Sequence, residues 1–300
     1  MRSWATRGVI LGLFTFATIA AAEKTPKTPK TPKPLQYNWR EVGTNHWQIV
    51  GTNVEATDET DKAEGNKGAC TPGMIEVKGN FRVTQMGDEL QKSVCTKWIN
   101  REFPERCASF DKDKWKVIRD KLPTKAMRYC IDRFEYPNKK GEYPVVFVNF
   151  HESEDMCKKA NKRLCTEDEW TFACEGEDAM PYPYGFDRDK DACVVDKAWK
   201  PYDPNAYGKG KEAVAAELDR LWQGVASGAQ PKCKSPFGVY DMIGNVDEWT
   251  RSAVPGRPSI LKGGYWGPVR TRCRPTTRAH GEAHAFYQQG FRCCSDVPSP

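Results

Sequence analysis

Twelve cysteines constrain this chain more than any other feature of its sequence. They are Cys70, Cys95, Cys107, Cys130, Cys157, Cys165, Cys174, Cys193, Cys233, Cys273, Cys293 and Cys294. The count is even and no two stand at C-x-x-C spacing, so a disulfide framework built in an oxidising compartment is expected ahead of thiolate zinc sites. Local geometry limits the pairings. Cys165 and Cys174 flank a segment with helical signals, and nine residues of helix separate their Cα atoms by roughly 13 Å. A disulfide needs Cα atoms within about 7 Å, so these two are not partners. Cys293 and Cys294 are neighbours in a strand-like end and face opposite sides, so they take different partners.

The N-terminus agrees with export. Arg2 and Arg7 precede an apolar run from Val9 to Ala22, and Ala20-Ala21-Ala22 offers small residues for cleavage before Glu23. The run is shorter than the ~20 residues of a bilayer span. Residues 1–22 therefore read as a signal peptide, and no transmembrane segment is expected after its removal. Lys24 to Pro34 reads KTPKTPKTPKP, a three-residue repeat expected to be an extended spacer. A basic tether to an anionic envelope surface is the functional reading of it, and a solvated linker the plain one. Residues 23–69 together read as spacer and polar segment, loosely ordered from Leu35 to Gly68, with the folded domain over 70–300.

The 300 residues are 39% hydrophobic and 29% charged, which excludes a polytopic membrane protein and a fully disordered chain. The 46 Lys+Arg exceed the 40 Asp+Glu, but six of those cations and one of those anions precede Leu35. From Leu35 onward the chain is nearly neutral, which disfavours nucleic-acid binding.

Helix and strand signals alternate without βαβ regularity, so the fold class is α+β. Glu152 to Ala160 reads as a short helix stopped near Asn161. Thr166 with Glu169 forms a capping box for a second helix, closed by Gly176. Val145-Val146-Phe147-Val148 reads as strand.

Five motifs then stand in order: Asp132-Arg133-Phe134-Glu135; Arg163-Leu164-Cys165-Thr166-Glu167-Asp168-Glu169-Trp170; Gly238-Val239-Tyr240-Asp241-Met242-Ile243-Gly244-Asn245-Val246-Asp247-Glu248-Trp249; Lys262-Gly263-Gly264; and Gly290-Phe291-Arg292-Cys293. With Pro183-Tyr184-Gly185 between them, the chain from about Cys70 onward resembles the sulfatase-modifying-factor family, which includes the formylglycine-generating enzymes. The resemblance implies an irregular, disulfide-rich variant of the C-type-lectin-like fold. It also implies a disulfide between Cys157 and Cys293. Cys174 matches a family cysteine whose partner position holds Arg278 here, so another partner is needed, with Cys273 a candidate.

Family enzymes oxidise a substrate cysteine to formylglycine with copper held by two cysteines, soft ligands that suit Cu(I). Those positions here hold Pro268 and Cys273, and Tyr265 replaces the serine after Gly-Gly. A two-thiolate copper site is therefore not expected. Cys273 remains the candidate catalytic residue and, more plainly, a disulfide partner. In Asp241-x-x-Gly244-x-Val246-x-Glu248 the resemblance implies calcium, bound by the side chains of Asp241 and Glu248 and the carbonyls of Gly244 and Val246. Capping of turns is the plainer role for the two acids. A second family calcium site would need an asparagine where Cys193 falls and is not expected. Neither Cys70-Thr71-Pro72 nor Cys273-Arg274-Pro275 completes the C-x-P-x-R pattern of family substrates, so self-modification is not expected.

His280, Glu282 and His284 form an H-x-E-x-H array. As metal ligands His280 and His284 would serve a replacement chemistry; as loop histidines they make hydrogen bonds. Tyr265 or Trp266 could stack on a ligand, although core packing is the ordinary role of such tryptophans. Arg270, Arg272, Arg274 and Arg278 suit carboxylate or phosphate recognition, or a solvated strand edge. The function expected is a secreted or periplasmic binding or envelope-associated module without formylglycine-generating activity. Its partner would be a peptide, glycan or envelope component. The alternative is a divergent metal-dependent oxidoreductase acting on a thiol or protein substrate.

Overall fold

A computed structural model describes residues 35–51 and 69–298. The signal-like segment and the KTP spacer lie outside the described residues.

The body begins earlier than the cysteine pattern suggests. Leu35–Pro300 forms one unit. Within it, β1 (Trp39–Glu41) and β2 (Trp47–Ile49) pair antiparallel. Trp39, Trp47 and Ile49 are buried with Val146, Leu218, Leu221, Trp222 and Trp266. The stretch expected to be loose is thus partly core. Its polar loop residues mask an alternation of large apolar side chains, each of which gains about 1.5–3 kcal/mol on burial.

The remaining strands are β3 (Met74–Arg82), β4 (Cys95–Asn100), β5 (Arg106–Phe110), β6 (Thr124–Asp132), β7 (Arg163–Leu164), β8 (Asp247–Arg251), β9 (Ser259–Lys262), β10 (Thr276–Thr277), β11 (Gln289–Phe291) and β12 (Cys293–Ser295). One four-stranded sheet has the order β3-β6-β12-β7 and a second the order β10-β9-β8-β11, with β4-β5 a separate hairpin. β11 runs parallel to β8; the other ladders of these sheets are antiparallel. The chain passes from β11 in one sheet to β12 in the other through a single residue, Arg292, which is fully buried. This places an arginine at the seam of the two sheets.

The helices are α1 (Gly87–Ser93), α2 (Lys112–Arg119), α3 (Phe150–Lys159), α4 (Glu167–Glu175) and α5 (Lys211–Leu221), with a 3₁₀ helix at Pro204–Gly208. α4 carries the expected capping box between Thr166 and Glu169, and Gly176 at φ 67° ends it. α3 starts two residues before the expected Glu152, because Asn149 caps it by accepting from the backbone N–H of Glu152 at 3.0 Å. Asn161 adopts φ 55°, a left-handed stop.

Val145–Val148 is not a strand. Only Val146 makes a bridge, to Trp47, and Phe147 sits at φ 66°, which breaks the extended backbone. The apolar run was misleading because its members are buried in different clusters, Val146 with Trp47 and Val145 and Val148 with Trp249.

All twelve cysteines are bonded: Cys70–Cys130, Cys95–Cys107, Cys157–Cys293, Cys165–Cys294, Cys174–Cys273 and Cys193–Cys233. Cys165 and Cys174 have separate partners, as helix geometry requires, and so do Cys293 and Cys294. The fold is α+β, irregular and disulfide-rich, consistent with a C-type-lectin-like architecture.

Candidate functional site

The turn after β9 is built by two glycines. Gly263 and Gly264 have φ of 88° and 69°, and a Cβ on Gly263 would lie 2.7 Å from the Met242 carbonyl. Only glycine fits there. The turn sends the chain through Tyr265, half-buried, and Trp266, which is 1% exposed and meets Trp222 edge-on at 4.7 Å. Trp266 is therefore core, with no face left for a ligand. Pro268 is exposed.

Cys273 closes this segment, bonded to Cys174 at the end of α4 with an S–S distance of 2.02 Å and fully buried. It has no free thiol, which corrects its candidacy as a nucleophile. The cavity lined by Val269 to Arg272, together with Cys107, Tyr182 and Arg188, holds about 10 Å³. That is no more than a single water would need.

The nearby arginines are mostly committed within the protein. Arg272 donates to Asp88 at 2.6 Å and to Gln91 at 3.1 Å, and Arg274 makes a two-pronged pair with Glu175 at 2.7 and 2.6 Å. Arg278 is half-exposed and 3.6 Å from Glu167. A wider cavity of about 770 Å³ lies beside it, lined in part by Lys262, Arg270, Arg274 and Arg278.

The Asp241–Glu248 turn is tighter than its sequence suggests. Asp241, Gly244 and Asn245 all adopt left-handed backbone, and a Cβ on Gly244 would collide with the Val194 carbonyl. Asp241 accepts from the backbone N–H of Gly228 at 2.7 Å. Glu248 accepts from Arg292 at 2.7 and 2.6 Å and from the Trp170 indole at 2.7 Å. A third carboxylate, Glu135, was not singled out as a site residue from sequence, although it ends a motif quoted above. It accepts from Ser227 at 2.9 Å and from the Asn245 amide at 2.8 Å.

Three carboxyls are thus buried near one guanidinium, that of Arg292, which pairs directly with Glu248. Burial pushes the Glu135 carboxyl well above the ordinary range, and Asp241 and Glu248 push it further. Burial also pushes Asp241 up to about 7, against the Gly228 N–H and Arg292, with Glu248 adding to the rise.

The side-chain donors are all oxygen, as a hard cation requires, while burial favours the neutral forms of Glu135 and Asp241. Glu248 fits least, since both its oxygens already accept hydrogen bonds. Among the described residues no group of three or more His, Cys, Asp or Glu side chains is placed to hold a metal. Asp241 and Glu248 would be the only side chains of the implied four-ligand set.

His280 and His284 stack with ring centroids 4.0 Å apart and planes at 20°. Their in-plane lone pairs run side by side instead of converging, so the pair as placed does not share one metal. His284 Nδ1 meets Gln289 Oε1 at 3.0 Å, while Glu282 lies 3.5 Å from the Ser259 hydroxyl. Among the described residues no helix is long and apolar enough to cross a membrane.

The profile of the sulfatase-modifying factor enzyme 1-like domain matches residues 79–297, well over half of the chain. The chain belongs to the sulfatase-modifying-factor family. It is 31% identical over 171 residues to inactive C-alpha-formylglycine-generating enzyme 2 of Bos taurus, covering 54% of this chain and 53% of that protein. It is 28% identical over 220 residues to the formylglycine-generating enzyme of Mycobacterium tuberculosis, covering 62% and 68%. Among solved structures, PvdO from Pseudomonas aeruginosa is similar at 18% identity and a TM-score of 0.44, over 77% of this chain and 97% of that one. The chain spans about half the length of the first of these relatives.

Proposed function

We propose that this chain is an exported member of the family that does not generate formylglycine and works as a binding or envelope-associated protein. One observation carries the reading: the sulfur of Cys273 is tied to Cys174, and Pro268 stands where the other copper-binding thiolate belongs. Family chemistry needs both thiolates free. The 31% identity to a relative named as inactive supports it. Twelve paired cysteines and the N-terminal apolar run support export.

The test is direct. Mature chain collected from an oxidising compartment, and sequenced to show Glu23 as its first residue, is incubated with Cu(I), oxygen and a peptide bearing C-x-P-x-R. The expected result is an unchanged peptide mass and no oxygen uptake above buffer. Copper-dependent formylglycine, abolished by Cys273→Ser, overturns the reading.

A second part of the proposal concerns calcium. The buried side chains of Asp241 and Glu248, on a turn whose backbone is left-handed at Gly244, support a bound cation at the Asp241–Glu248 turn. Millimolar Ca²⁺ is expected to raise the Tm of chelator-treated protein by several degrees, consistent with ~2–3 kcal/mol of binding linkage. Asp241→Asn is expected to remove that rise. Equal Tm with and without Ca²⁺ refutes the site.

A further inference from the structure

β3 is the outermost strand of the β3-β6-β12-β7 sheet, and it is nine residues long. Successive residues of a strand turn their backbone N–H and C=O to opposite edges. Asn80 donates its N–H to Glu177 Oε1 at 2.8 Å, and Met74 donates to the Thr71 carbonyl at 3.1 Å. The even-numbered residues of β3 therefore face away from β6. On the same edge the Arg82 carbonyl accepts from Arg274 at 2.9 Å.

Between these closures lie Glu76 and Lys78. Among the described residues no group outside the β3–β6 ladder bonds to the backbone of either. Two N–H and two C=O groups thus stand open on the edge, in a window closed at Met74 by its own turn and at Asn80 by a carboxylate. Unpaired edge backbone is a template for a further strand.

The side chains of the window select the strand. Glu76 is half-buried and accepts from Arg128 at 2.7 Å. Lys78 is exposed, and among the described residues no carboxylate lies within ion-pair distance of it. A second copy laid antiparallel about a two-fold axis through Val77 sets Glu76 opposite Lys78 of the other copy, and Lys78 opposite its Glu76. Both open residues then form hydrogen-bonded pairs, four backbone hydrogen bonds in all. Asn80 stands opposite Met74 of the other copy, where that strand turns away, so the ladder ends at the closures. The neighbouring two-fold registers, centred on Glu76 or on Lys78, oppose like charges, which destabilise a ladder.

We propose that β3 is a self-association edge, through which two copies of this chain join antiparallel at Glu76–Lys78 and merge their sheets. The inference does not depend on the state of Cys273. The window offers little apolar area, so the contact is weaker than interfaces of standard size and forms at high concentration.

The test is sedimentation velocity of the mature chain from about 1 µM to about 1 mM, with amide exchange followed by NMR. A dimer is expected to grow with concentration, and exchange at the amides of Glu76 and Lys78 to slow with it. Lys78→Glu, at an exposed position, should weaken association by roughly tenfold, because it opposes two pairs of like charges. Glu76→Lys should do the same, with circular dichroism checking its fold, since it also removes the Arg128 pair. An equimolar mixture of the two variants should recover the dimer, because each then faces its opposite charge. Where Glu76→Lys does not fold, Lys78→Glu alone decides. A monomer at every concentration overturns the proposal, whether the edge is left to water or takes a strand of another protein. A dimer that Lys78→Glu leaves unchanged, or a mixture of folded variants no more associated than either alone, overturns it as well.

Discussion

The Nζ of Lys262 donates to the Arg274 carbonyl at 2.9 Å and lies 5.4 Å from the centre of the Trp170 ring. It is 1% exposed, and among the described residues no carboxylate lies within ion-pair distance. Burial pushes its amine down to about 8 from 10.5, against the pull of Glu167 and Glu175. The folded state therefore binds this proton more weakly than the unfolded chain does. The residue's contribution is fully present above pH 10.5 and is lost as pH falls through 8, so stability from this group rises with pH between those values. The span corresponds to at most about 3 kcal/mol. Lys262→Met keeps the length and removes the charge. Relative to the parent, the variant should be stabilised by up to ~3 kcal/mol more at pH 7.5 than at pH 10 in urea unfolding. An identical difference at both pH values would refute this account. None of it is visible in Lys262-Gly263-Gly264 as a string, because burial of a charge is decided by neighbours distant in sequence. Glu135 is the same case: its motif is legible, but its place beside Asp241 and Glu248 is not.

Local chemistry was legible where it is self-contained. The Thr166–Glu169 box and the stops at Gly176 and Asn161 depend on residues within one turn, and the structure has all three. Sequence reading failed where tertiary packing sets the conformation. Val145–Val148 has strand composition, yet its side chains divide between two clusters and Phe147 turns the backbone over. The β1–β2 hairpin failed in the opposite direction. Its loop residues Gly43, Thr44 and Asn45 dominate the composition, while three large side chains bury it. These two misread pieces meet at the Trp47–Val146 bridge and together wall a cavity of about 490 Å³. By contrast, the Gly263–Cys273 segment offers no thiolate at Pro268 in its sequence, and the structure ties its one cysteine, Cys273, to Cys174.

At the scale of the molecule, two disulfides bind the same distant regions. Cys157–Cys293 closes a sequence separation of 136 and Cys165–Cys294 one of 129. They fasten α3 and the start of α4 to β12, which lies between β6 and β7 in its sheet. Either bond alone already closes the long loop. With one intact, the other adds only a short loop, from residue 157 to 165 at one end and 293 to 294 at the other. The chain-entropy relation then assigns about 2.5 kcal/mol to losing either bond singly; with Cys174–Cys273 intact, the loop reopened by losing both is only about 30 residues, and losing both costs about 6 kcal/mol. The two losses are therefore not additive, with a coupling of about 1 kcal/mol. The measurement is a cycle in urea of the parent, Cys157→Ala with Cys293→Ala, Cys165→Ala with Cys294→Ala, and all four substitutions. Cavity terms from the individual alanines largely cancel in the coupling, which isolates the shared loop. Coupling near zero would mean that the unfolded chain is held in this region by residual structure and not by these bonds, and that the seam at Arg292 organises the two sheets without their help.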